Sequence, residues 1–194
     1  MKTFLLDLRT SLLLTLVFAV LLCGVYPLAV FAGAQLFFPA KANGSLLTDA
    51  TGTVRGSTLL AQPFASPRYF QPRPSAAGTG YDATASSGTN LGPTSQKLAD
   101  SIQSNVAAYR TANDLAPGTP VPADAVTSSG SGLDPHISLA NAQLQAARVA
   151  KARGLPSGQI AALLSTHLEA RDLNLFGEPR VNVLLLNVAL DGIK

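Results

Sequence analysis

LLLTLVFAVLLCGVYPLAVF, residues 12–31, is a run without one side chain that is ionised at neutral pH. At about 1.5 Å of rise per residue it covers the roughly 30 Å hydrocarbon thickness of a bilayer. Lipid offers no partner to free backbone groups, so a single crossing segment must be helical. Residues 12–32 are therefore read as a transmembrane helix, with Leu12, Leu16, Val20, Val25 and Phe31 among its anchoring side chains. Lys2, Arg9 and the α-amino group precede the run against one acid, Asp7, while the next basic residue is Lys41. Positive charge stays on the cytoplasmic side, which predicts a cytoplasmic segment 1–11, a membrane-proximal linker 33–44 and an extracytoplasmic domain 45–194.

Two other readings of the run are weaker. A cleaved signal peptide would use Ala32-Gly33-Ala34 as its small-residue site, but the run is long for such a segment and Phe37 and Phe38 follow. A lipoprotein would need a small residue before Cys23, where Leu22 stands. Cys23 is the chain's only cysteine, so no disulfide is expected and the outer domain must be held by packing.

The chain has 194 residues, 47% of them hydrophobic and 13% charged. Outside the first 32 residues there are 12 basic and 10 acidic side chains (14 − 2 and 11 − 1), a net +2 with no basic tract. That excludes a nucleic-acid surface, which needs clustered cations. Asn43-Gly44 predicts a turn, and Val54–Ala61 a first strand. Residues 63–93 are rich in Pro, Gly, Ser and Thr, with Tyr69, Phe70 and Tyr81 spaced along them. They predict either a surface loop packed by its own aromatics or a partner-docking surface.

A helix capped by Thr94 or Ser95 follows, its face marked by Leu98, Ile102, Val106 and Tyr109. Val121–Val126 is read as a short strand or turn. Asp134-Pro135 predicts the start of a helix that ends at Lys151, Arg153 and Gly154. Ser157 is expected to cap the next one, with Ile160, Leu163, Leu164, His167 and Leu168 on one face. Arg180–Leu186 predicts a buried strand, and Asn187–Ile193 a closing helical turn. The expected class is α+β: one transmembrane helix, then one mixed domain with long Pro/Gly/Ser-rich loops.

Chemistry is thinly represented. Neither a Walker phosphate loop nor a G-x-S-x-G elbow occurs, and His136 and His167 fall on separate predicted helices, so no catalytic or metal residue is assigned. Asp134 reads as a cap with His136 in an exposed first turn, and Glu169, Arg171 and Asp172 read as solvated surface.

Several segments in colinear order resemble one family, the C subunit of the Kdp-type potassium-transporting ATPase of bacteria. They include Ala42-Asn43-Gly44-Ser45-Leu46, Tyr69-Phe70 with Arg73-Pro74-Ser75-Ala76, and Gly88 with Asn90-Leu91. The highly specific one is Ser131-Gly132-Leu133-Asp134-Pro135-His136-Ile137-Ser138, and Gln145 with Arg148-Val149-Ala150 and Gly177-Glu178-Pro179-Arg180-Val181-Asn182-Val183 follow it. Ala61, Pro72, Ala147 and Leu185 depart from the pattern.

The resemblance implies a non-catalytic accessory subunit in the bacterial inner membrane, in a complex that imports K⁺ with ATP. Its implied partners are a channel-like K⁺-binding subunit, a P-type ATPase subunit and a small peptide subunit. It is implied to aid assembly and to raise the pump's affinity for ATP, while ATP and K⁺ are bound at the level of the complex. Tyr69, Phe70, Arg73, Asn90, Asp134 and His136 are the candidate partner contacts. Gln145 and Arg148, one turn apart, are weak candidates for a nucleotide contact, and the topology favours a structural or docking role for them. The alternatives are a membrane-tethered extracytoplasmic hydrolase and a binding module.

Overall fold

The computed structural model describes residues 2–49 and 51–193. The chain divides into two compact units, Met1–Leu46 and Leu47–Lys194. In the first, helix α1 (Lys2–Val20) passes through one π-helical turn (Leu21–Val25) into α2 (Tyr26–Phe37), followed by a single turn, α3 (Pro39–Ala42). The wide turn has a local cause. Pro27 has no N–H to return to the preceding turn, and the Tyr26 N–H reaches back to the Leu21 carbonyl. Thr3–Phe37, which contains an 18-residue window of mean hydropathy 2.5, is the one helix among the described residues long and apolar enough to cross a membrane.

The helix thus extends past residues 12–32 in both directions, and most of the expected linker 33–44 is helical. Thr10 and Thr15 satisfy their hydroxyls on the carbonyls of Leu6 and Ser11 (2.9 and 2.8 Å). Both hydroxyl hydrogens are thereby satisfied within the helix itself. Beyond the apolar stretch, the amides of Gln35 and Asn43 pair reciprocally at 3.2–3.3 Å. Gly44 and Ser45 then turn the chain with positive φ.

The second unit opens with a pair of strands, β1 (Leu46–Thr48) and β2 (Val54–Ser57). Asp49 closes the turn between them. Its carboxylate accepts from the Thr51 hydroxyl and N–H and from the Thr53 N–H, and pairs with Arg55 at 2.8 Å. Those hydrogen bonds, the Thr51 hydroxyl first, hold its pKa down to about 2. The expected strand Val54–Ala61 stops at Ser57, because Leu60 N–H turns back onto the Ser57 carbonyl (3.2 Å).

Residues 58–95 contain neither helix nor strand. Next come α4 (Gln96–Ala112), capped by Ser95, and α5 (Ala123–Val126), one helical turn where a strand or turn was expected. The core sheet is antiparallel in the order β3 (His136–Ser138), β5 (Arg180–Asn182), β4 (Leu168–Glu169), with Val181 facing Ile137 on one side and Leu168 on the other. Helices α6 (Leu139–Arg153), α7 (Ser157–Thr166) and α8 (Val183–Asp191) bury Val149, Ile160, Leu164, Leu186 and Leu190 with Ile137 and Val181.

Three boundaries differ from the sequence reading. Asp134-Pro135 does not open a helix: Asp134 Oδ1 takes the His136 N–H (3.0 Å), residues 136–138 run in the sheet, and Ser138 caps α6. The Val/Leu run from Arg180 is a strand for only three residues. The Asn182 side chain then accepts the Leu185 N–H (3.2 Å) and starts α8. Pro156, not Ser157, occupies the cap position of α7, and Leu168 leaves that helix for β4. Gly154, with φ +67°, ends α6 in the left-handed conformation as expected.

Candidate functional site

The proline-rich segment is fastened to the helices by side chains that act as substitute strands. Asn187 on α8 accepts from the Phe70 N–H and donates to its carbonyl, both at 2.9 Å. Gln145 on α6 does the same for the next residue, accepting the Gln71 N–H (2.7 Å) and donating to its carbonyl (3.0 Å). The backbone here has no sheet neighbour, and buried amides must be paired. With both residues held, the Phe70 ring is wholly enclosed in the core.

Arg148, one turn along α6, extends the clamp. Its guanidinium donates to Asn113 Oδ1 (2.9 Å), to the carbonyls of Pro67 (2.6 Å) and Tyr69 (3.0 Å), and to Gln145 Oε1 (2.8 Å). Burial lowers its pKa, and the Coulombic pull of Tyr109 opposes that. Arg153 donates to the carbonyls of Arg68 (2.8 Å) and Leu190 (3.1 Å), pairs with Asp191 at 2.7 Å and lies 4.8 Å over the Tyr69 ring. The Tyr69 hydroxyl also donates to Asp191 (3.0 Å).

A second fastening lies further along. The Ser75 hydroxyl donates to the Gly132 carbonyl (2.7 Å) and accepts from the N–H groups of Tyr81 (2.8 Å) and Ala77 (3.2 Å). Gly132 has φ +69°, and a Cβ there would come within 2.7 Å of Ala77 N and Ser87 O, so the two loops meet only because it is glycine. Arg73 bridges to Asp134 (3.2 Å) and the Ser128 carbonyl (3.2 Å).

His136 sits between two carboxylates, Asp134 at 3.4 Å and Glu169 at 3.3 Å, and Arg180 pairs with Glu169 at 3.1 Å. Partial burial works against ionising Asp134. The hydrogen bonds from His136 and the charges of Arg73 and His136 outweigh it, and its pKa is lowered.

Of the candidate residues, Gln145, Arg148, Tyr69, Arg73 and Asp134 are joined by this fastening. Gln145 and Arg148 spend their polar atoms on the chain itself. Phe70, proposed as a partner contact, presents no surface to a partner. His136 is half-buried in a strand and not in an exposed helical turn, while Asn90 is exposed with φ +52°. A cleft of about 400 Å³ between the segment and α4 is lined by Pro63, Phe64, Pro72, Tyr81 and Tyr109.

Sequence reasoning missed Asn187, although an asparagine inside the apolar run Leu184–Leu190 is a signal of a buried amide with a purpose. It also missed the tip of the β4–β5 connection, where Leu173, Leu175 and Phe176 stand out from the unit.

The family model described as "K+-transporting ATPase, c chain" matches residues 8–192. A Koribacter versatilis protein named potassium-transporting ATPase KdpC subunit is 52% identical over 186 residues, 96% of this chain and 94% of the relative. Proteins of the same name from a Caulobacter species (55%, 95% of this chain and 92% of the relative) and from Mycobacterium tuberculosis (54%, 95% and 97%) are equally similar. The match takes in both the apolar helix and the fastened second unit, and the chain belongs to the KdpC family of K⁺-transporting ATPase subunits.

Proposed function

We propose that this chain is the accessory subunit of an ATP-driven K⁺ importer: it helps assemble the complex and raises the ATP affinity of its P-type ATPase subunit without binding ATP itself. The observation that carries the reading is the family match over residues 8–192, which spans helix and outer unit together. The charge asymmetry about the apolar run supports a cytoplasmic N-terminus and an extracytoplasmic second unit in the bacterial inner membrane. ATP is then on the opposite side of the bilayer, and coupling takes the form of a preference for one conformational state of the pump.

The engagement of Gln145 and Arg148 in the loop clamp supports the same view, since both side chains serve the fold. The partners in this reading are the channel-like K⁺-binding subunit, the P-type ATPase subunit and the small peptide subunit. The outer unit works there as a rigid body carried by the Leu12–Phe31 segment.

Deleting the chain from the purified complex tests this. A loss of K⁺-stimulated ATPase activity, or a several-fold rise in KM for ATP in whatever complex still assembles, is expected. Unchanged assembly and KM would refute it.

A further inference from the structure

The β4–β5 connection carries the most exposed apolar group of the second unit. Leu173 is 88% exposed, more than any other large apolar side chain among the described residues, and Leu175 and Phe176 are 69% and 60% exposed. The protrusion is ordered by its own backbone. Asp172 and Phe176 exchange N–H···O bonds at 2.9 Å each, and Leu175 N–H closes a turn onto the Asp172 carbonyl (3.1 Å).

The two central residues of that turn, Leu173 and Asn174, have φ +54° and +59°. This is the geometry in which Asn-Gly is strongly preferred, and a bulky Leu is unfavourable at its first position. A strained backbone that holds an apolar side chain out in water has no structural return within the chain. Outliers of this kind point to a use.

The rim of the tip says what it fits. Arg171 pairs with Glu178 (2.7 Å), and Arg180 with Glu169 (3.1 Å) and Asp172 (3.4 Å). Each cation at the base of the tip already has an acid, so nothing is left over to attract anionic lipid headgroups, which recruit unpaired Lys and Arg. An apolar centre ringed by two arginines and three acids, all held in ion pairs and net −1, is the make-up of a protein interface.

We infer that the Leu173–Phe176 tip is a docking knob that inserts into an apolar socket with a weakly basic rim, complementary to the tip's own net −1, on another subunit of the transport complex. The 63–93 segment, by contrast, spends its central aromatic, Phe70, inside the core. The inference rests on the proposed accessory role, and the two can fail separately.

The test uses the full chain in the assembled complex. With p-benzoylphenylalanine in place of Phe176, irradiation is expected to give a cross-linked product that mass spectrometry identifies as this chain joined to another subunit. A product with lipid, with a second copy of this chain, or no product overturns the inference. In parallel, Leu173→Asp with Phe176→Asp should lower co-purification of the complex at least tenfold while leaving the unfolding temperature of the chain unchanged. Co-purification at the wild-type level overturns the docking inference alone. A wild-type chain that co-purifies with no other subunit overturns both readings.

Discussion

The two long irregular segments of the second unit behave in opposite ways. Residues 63–93 have the composition of a free loop, yet Phe70 is fully enclosed and Asn187, Gln145, Arg148 and Arg153 fasten the backbone from Pro67 to Gln71. In residues 170–179, Arg171 and Asp172 read as solvated surface, yet they pair with Glu178 and Arg180 at the base of a tip that holds three apolar side chains out in solvent. Composition does not report which side chains are available. Following each buried backbone amide to its partner does.

The sharpest way to break this contrast is to make the same change in both loops. Phe70→Ala removes an enclosed ring and is expected to cost about 4 kcal/mol of stability. Phe176→Ala removes a ring already in water and should cost less than about 0.5 kcal/mol. Urea unfolding of the detergent-solubilised chain, followed by circular dichroism, compares them. Equal costs would mean that the 63–93 segment is not fastened as described.

Arginines give the next contrast. Arg148→Met leaves two loop carbonyls, Asn113 and Gln145 short of a donor and is expected to cost about 3 kcal/mol. Arg171→Met breaks an exposed pair worth roughly 0–1 kcal/mol. Thermal melts of the two variants decide, and an Arg148 cost under about 1 kcal/mol would show the clamp to be weak.

Asp134 adds a pH signature to the second fastening. Its folded pKa lies below the ordinary value of 3.8, so its contribution is fully present above that value and disappears as pH falls through the lower folded one. Asp134→Asn should therefore be less stable than wild type at pH 6, by about 1 kcal/mol after allowance for its partial exposure, with the gap closing as pH falls below 3.8 and through the lower folded value. A gap that does not change with pH would assign the loss to packing and not to charge.

The smallest effect is expected at the tip, where Leu173→Asn relieves the left-handed leucine and should raise stability by about 0.5 kcal/mol. A loss of that size would mean the leucine is supported by contacts within the chain.

The sequence made the helix legible because lipid imposes one solution on a twenty-residue apolar run. A cap at Thr94 or Ser95, which the structure resolves to Ser95, and the stop at Gly154 were also legible, since a cap and a left-handed stop have local residue preferences. The readings that failed depended on distant partners. Asp134-Pro135 has the local form of a helix start, but its carboxylate is taken by His136 and Arg73, and Ile137 is needed opposite Val181. Val183–Leu186 has strand composition, and only the Asn182 cap turns it into helix. Gln145 and Arg148, read as structural or docking residues with a nucleotide contact as the weaker alternative, reach backbone atoms 74 to 81 positions away, and those targets are invisible to local reading.

The account depends most on which side of the membrane the outer unit occupies. Lys97, exposed on α4, offers a clean probe: Lys97→Cys in a Cys23→Ala background, treated with a membrane-impermeant maleimide on intact cells whose outer membrane has been permeabilised. Full labelling without lysis is predicted. Labelling only after the inner membrane is broken would place the domain beside ATP and contradict the indirect coupling proposed above.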